Sequence, residues 1–210
     1  MFGRISLVAF VTLLAGCVST ATLKLDDEHS SSLHEKSLVV TTSDKPDFAA
    51  MTAGKVMVPL VGAVTMISEG NEIIRQHNVE DPAAFIGEEI AAQLATLRSM
   101  NLRPSSVPSS DGDIEYLSAT HANQDFALDV RTINWSFGYF PSDWNNYRVI
   151  YSVKARLIDL RKENVIAEAF CARVPEQSPA SLSCQQLVGN HAARLKHELQ
   201  VSAEHCVKKS

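Results

Sequence analysis

The chain has 210 residues, 45% of them hydrophobic and 20% charged, with a formal net charge of -5. This balance excludes a disordered chain, a collagen-like repeat and a multi-span membrane protein, and the absence of a basic patch argues against a nucleic-acid partner. A chain of this length fits one domain.

Residues 1–17 read MFGRISLVAFVTLLAGC. Arg4 precedes an apolar run over residues 5–14, and the small pair Ala15-Gly16 ends it. That is the pattern of a secretory signal peptide, and the run is too short for a spanning helix, which needs about 20 residues. Leu14-Ala15-Gly16-Cys17 resembles the lipobox of bacterial lipoproteins. The resemblance implies cleavage before Cys17, attachment of diacylglycerol to its thiol, and acylation of the new amine with a fatty chain such as palmitate. Each buried methylene contributes about 0.8 kcal/mol, so two or three chains hold a protein stably on a bilayer. Val18 stands where an aspartate would, by analogy with enterobacterial lipoproteins, retain the protein in the inner membrane. The expected plan is a signal peptide over 1–16, a lipidated N-terminus with a polar, Ser-rich flexible tether over 17–36, and one α+β periplasmic domain over 37–210.

Residues 37–42 read as a short strand. Asp47, after Pro46, is placed to cap a helix. Residues 56–67 are apolar apart from Thr65 and contain Pro59 and Gly62. They read as a buried helix pair kinked near Pro59, or as a segment that touches a membrane or a partner. Asp81-Pro82 then supplies N-cap and N1, and Ala83, Ile86, Ile90, Leu94 and Leu97 form one apolar face of a helix over 82–100. A Pro- and Ser-rich loop follows over 104–112.

Residues 114–173 read as sheet. Phe126, Leu128 and Val130 alternate with Asp129 and Arg131, and then Ile133, Trp135 and Phe137 carry the apolar load in the opposite phase. A phase switch of this kind calls for a bulge or for burial of both faces. Tyr147, Val149, Tyr151, Val153, Ala155 and Leu157 give the clearest alternation in the chain, and residues 165–174 return after the turn at 161–164. The last helix, over 181–205, sets Val188, Ala192, Leu195, Leu199, Ser202 and Cys206 on one stripe. The expected fold is α+β: an antiparallel meander of three to five strands with helices packed on one face.

An exported domain permits a disulfide among Cys171, Cys184 and Cys206. In one continuous helix Cys184 and Cys206 would stand about 33 Å apart, far beyond bonding reach. Cys171 ends a strand and Cys184 opens the helix after a turn holding Pro175 and Pro179, so Cys171–Cys184 is the expected pair.

No GxSxG, P-loop, GxGxxG or HExxH occurs. His191, His197 and His205 do not share a helix face as metal ligands would, so no metal and no cofactor is expected. Asp111, Asp113, Asp125 and Asp129 form the best carboxylate cluster for cation binding or acid–base chemistry, and turn chemistry explains them as well. The loop FGYFPSDWNNY carries more aromatic surface than a loop needs. Its Tyr139, Phe140 and Trp144 are candidate anchors for a protein partner.

The hairpin LIDLRKENVIAEAF resembles that of curli-secretion and penicillin-binding-protein-activator lipoproteins, and of auxiliary lipoproteins of lipid-transport systems. It departs from them in lacking a turn glycine. The resemblance implies a non-enzymatic outer-membrane lipoprotein that assists an envelope complex by binding a protein. The alternatives are an amphiphile-binding auxiliary of a transport system, or a hydrolase.

Overall fold

A computed structural model describes residues 22–53, 59–103, 108–109 and 113–209. The described elements run in the order α1 (Asp27–Ser32), β1 (Ser37–Ser43), β2 (Ala49–Met51), α2 (Pro59–His77), α3 (Pro82–Arg98), β3 (Asn101–Arg103), β4 (Pro108–Ser109), α4 (Ile114–Thr120), β5 (Phe126–Phe140), β6 (Asp143–Asp159), β7 (Asn164–Arg173) and α5 (Cys184–Val207).

The period-two stretch forms the expected meander, with β5, β6 and β7 antiparallel. The sheet as a whole is mixed, however. β1 and β2 lie end to end along the other edge of β5 and run parallel to it, and β3 and β4 run parallel to β1. The described residues thus give seven strands in the order β3-β1-β5-β6-β7, with β2 and β4 beside this path. Parallel neighbours need long crossover connections, and the helices between β2 and β5 supply them. The expectation of a purely antiparallel sheet fails because those helices return the chain to the same end of the sheet.

The phase switch in β5 is a bulge. The β5–β6 register shifts between Thr132 and Asn134, so Ile133 is the extra residue and lies exposed. Beyond it Trp135 and Phe137 rejoin the face of Leu128 and Val130, which is why an alternation broken on paper gives one continuous core face. Trp135 donates Nε1–H to the Pro46 carbonyl at 2.8 Å and meets the Phe48 ring edge-on at 5.1 Å.

Most helices cover that face. Asp81 caps α3 by accepting from the Ala83 N–H at 2.9 Å, Pro82 opens the helix, and Ile86, Gly87 and Ala91 are buried. The stripe fades toward its end: Ile90 and Leu94 are half-buried and Leu97 is 73% exposed, because the helix runs out past the core. α5 starts from a capping box between Ser183 and Gln186 and buries Leu195, Leu199, Ala203 and Cys206. The opposite face is not bare. α4 sets Leu117 against Val39, Ala127, Ile158 and Leu160, so helices occupy both faces.

Other expectations are corrected here. Asp47 caps no helix. It accepts from the Asn71 side chain at 2.7 Å, Asn71 in turn accepts from the Phe48 N–H at 2.8 Å, and the chain continues as β2. This clamp holds α2 so close that a Cβ on Gly70 would stand 2.0 Å from the Phe48 carbonyl oxygen. Further toward its start, α2 leaves Val64 71% exposed, so the burial expected of residues 56–67 fails at Val64, while residues 56–58 lie outside the described residues. Residues 114–120 are helix, not sheet, because Asp113 caps them by accepting from Glu115 N–H at 3.0 Å. Of the stretch expected as a flexible tether, the described residues 22–36 form α1 and fully bury Leu33.

The disulfide joins Cys171 to Cys206, with Cα atoms 5.6 Å apart, and not Cys171 to Cys184. α5 is not continuous: Asn190, His191 and Ala192 have φ of 49°, 56° and 55°, left-handed values, and break the helix into two. Cys206, on the part after this break, lies beside β7. Proximity along the chain favoured Cys184, which instead packs half-buried against the edge of the core.

Candidate functional site

Cys17 and Asp111 lie outside the described residues. Asp113, Asp125 and Asp129 do not converge on one site. Asp113 is the α4 cap. Asp125 accepts from the Ser37 N–H and hydroxyl at 3.0 and 2.9 Å and pairs with Arg161 at 2.8 Å. Burial pushes its carboxyl up, but the Ser37 bonds and the Arg161 guanidinium outweigh that and hold it below the usual carboxylate range. Asp129 is fully buried; one oxygen accepts from Arg131 at 2.8 Å and Arg156 at 2.6 Å, the other from Thr41 at 3.1 Å. Each carboxylate thus fixes local structure. Among the described residues no group of three or more His, Cys, Asp or Glu is placed to hold a metal ion.

A second buried polar chain was not anticipated. The Asp81 carboxylate accepts from the Thr132 hydroxyl, which lies 3.0 Å from the Tyr151 hydroxyl. Burial pushes the Asp81 carboxyl above its ordinary value, opposed in part by the Thr132 and Ala83 hydrogen bonds, and burial raises the Tyr151 phenol too. The group closes the junction of α3 with the sheet beside the bulge.

The aromatic loop is built on the β5–β6 turn. Asp143 accepts from the Asn145 N–H at 3.1 Å and from the side chains of Asn146 and Gln177 at 2.6 and 3.1 Å. These bonds, Asn146 first, hold its carboxyl below the usual range and stiffen the turn. The three candidate anchors separate on it. Phe140 is only 4% exposed and lies under the Arg148 guanidinium at 5.2 Å, so it supports the turn from within. Tyr139 is half-buried and meets Trp144 edge-on at 6.2 Å. Trp144 is 60% exposed. Trp135, Phe137, Tyr147 and Tyr151 are core.

Sequence inspection missed a cavity of about 440 Å³ between α3, the β6–β7 part of the sheet and residues 22–25. Leu23 pairs with Glu168 through two backbone hydrogen bonds of 2.9 and 2.8 Å and so forms one wall. The signal was present as alanines at 155, 167 and 169, within strands where larger residues are the rule. No described helix is long and apolar enough to cross a membrane.

No family model and no curated protein matches the chain. Solved structures do. The chain is similar to the lipoprotein GNA1162 of Neisseria meningitidis (13% identity, 83% of this chain and 99% of that one, TM-score 0.36). It is similar to the C-terminal domain of LpoB from Salmonella enterica (12% identity, 68% and 85%, TM-score 0.33). A third likeness is to the PelC dodecamer of Paraburkholderia phytofirmans (14% identity, 80% and 84%, TM-score 0.33). The structural neighbours include bacterial lipoproteins, but overlaps this loose assign the chain neither a family nor an activity.

Proposed function

We propose that this chain is a lipid-anchored, non-enzymatic lipoprotein of the bacterial envelope, held through Cys17 at the outer membrane with its domain in the periplasm, where it binds another envelope protein through the β5–β6 turn. The observation that carries the binding role is Trp144, a large aromatic side chain held out on a turn tied by three hydrogen bonds to Asp143. A rigid, exposed aromatic with a polar surround is how interface anchors are presented. The lipobox at 14–17 supports the anchoring.

Two measurements test this reading. Affinity capture from cross-linked cells should recover a protein partner with the wild type and lose it with Trp144→Ala; equal recovery overturns the binding surface. Metabolic labelling with palmitate should mark the wild type and not Cys17→Ala; an unmarked wild type overturns the anchor. The cavity beside residues 22–25 favours a second reading, in which the same anchored domain binds an amphiphile.

A further inference from the structure

The cavity has features that define its occupant. Its volume, about 440 Å³, lies within the roughly 300–1,000 Å³ typical of small-molecule sites. Its floor is low because small side chains face each other across β6 and β7: Ala155 is in register with Ala169, and Leu157 with Ala167. α3 overhangs this floor with Ile90 and Leu94. The lining is therefore mostly apolar, made of leucine, isoleucine and alanine side chains, with polar groups in the minority. Charge appears among three lining residues, Lys24, Glu168 and Lys209. Glu168 accepts from Lys154 at 3.0 Å, which leaves the lining with a positive balance from the two lysines.

From these features we infer that the cavity takes one long-chain fatty acid, its hydrocarbon over the alanine floor and its carboxylate at Lys24 and Lys209. The inference rests on the anchoring reading for its source of ligand. Four residues lie between Cys17 and Thr22 on the cavity wall, so the five steps between them reach at most about 18 Å, and an anchored domain keeps this cavity beside the bilayer. The acyl groups carried by Cys17 would lie within the same reach. They are joined as esters and amides and bring no anionic head to the lysines, which is why a free carboxylate is the better match.

The test is a fluorescence titration with cis-parinaric acid. It uses the lipidated wild type in phospholipid nanodiscs and the chain from residue 17 onward carrying Cys17→Ser. Both should bind one probe per chain, saturably, with displacement by palmitate. Ala167→Trp fills the floor and should abolish binding. Lys24→Glu with Lys209→Glu, both exposed positions, should weaken the carboxylate probe by about tenfold while leaving displacement by the uncharged cetyl alcohol unchanged. Absence of saturable binding, or equal binding in the lysine double variant, overturns the inference. Binding by the Cys17→Ser chain alone would identify the protein's own acyl chain as the occupant and also overturn it. Failure of palmitate labelling at Cys17 would remove the anchoring reading but leave the titration of the lipid-free chain to stand or fall by itself.

Discussion

Cys206, on the last turn of α5, is bonded to Cys171 on β7, 35 residues earlier in the chain. A cross-link closing a loop of that length removes enough unfolded-state freedom to contribute about 3–4 kcal/mol. Cys171→Ala with Cys206→Ala should lower the free energy of urea unfolding by that amount, and dithiothreitol should do the same to the wild type. Cys184→Ser should leave the bond intact. A non-reducing peptide map that links residue 171 to residue 184 would refute the assignment.

Asp129 is buried between two guanidinium groups, one from its own strand and one directly across on β6. Removing one partner of such a group leaves the other charges uncompensated. Asp129→Asn should therefore destabilise the fold by about 3 kcal/mol, read as a shift of the urea midpoint. Asp113→Asn, at an exposed cap where asparagine serves nearly as well, should cost less than about 0.5 kcal/mol.

The contrast between these two aspartates shows how far the sequence could be read. The alternation of residues 147–157 specified β6, and the broken alternation at Ile133 specified a bulge, because both follow from which faces are apolar. The Asp81-Pro82 signal located α3 because capping is local chemistry. What could not be read is whatever depends on residues distant in sequence. The parallel pairing of β1 with β5 joins segments more than 80 residues apart. The clamp of Asn71 on Phe48 turned an expected helix start at Asp47 into a strand. The left-handed break at Asn190 carried Cys206 to β7 and overturned the disulfide. In the candidate site, the aromatic richness of the turn was visible, but not that Phe140 faces inward and Trp144 outward. Nor did the charges along β5 reveal that Asp129 is buried and Asp113 is not.

Asp81 makes stability depend on pH. Its folded-state affinity for a proton exceeds that of an unfolded aspartate, whose pKa is 3.8. Between 3.8 and its raised folded value the native chain binds more protons than the unfolded one, so stability falls as pH rises through that window and levels off above it. Asp81→Asn keeps the cap and the Thr132 bond but has no charge to desolvate. The variant should gain on the wild type across the window, and the two should converge below pH 3.8; denaturant curves at stepped pH check this. A gap that stays constant with pH would show that Asp81 does not carry the effect.

The break in α5 holds three consecutive non-glycine residues at positive φ. Each costs free energy that glycine does not. His191 is exposed and loses one edge-on ring contact, with His77 at 6.2 Å, so little packing is lost on replacing it. His191→Gly should raise stability by about 1 kcal/mol, whereas the same change in a regular helix would lower it by a similar amount. Thermal unfolding of the two proteins distinguishes these signs.

Thr22 and Lys209 line the same cavity, so the two ends of the described chain meet at one rim. A reporter or affinity tag fused directly after Lys209 would therefore sit at the mouth of this cavity. Such a fusion would crowd the entrance of the cavity.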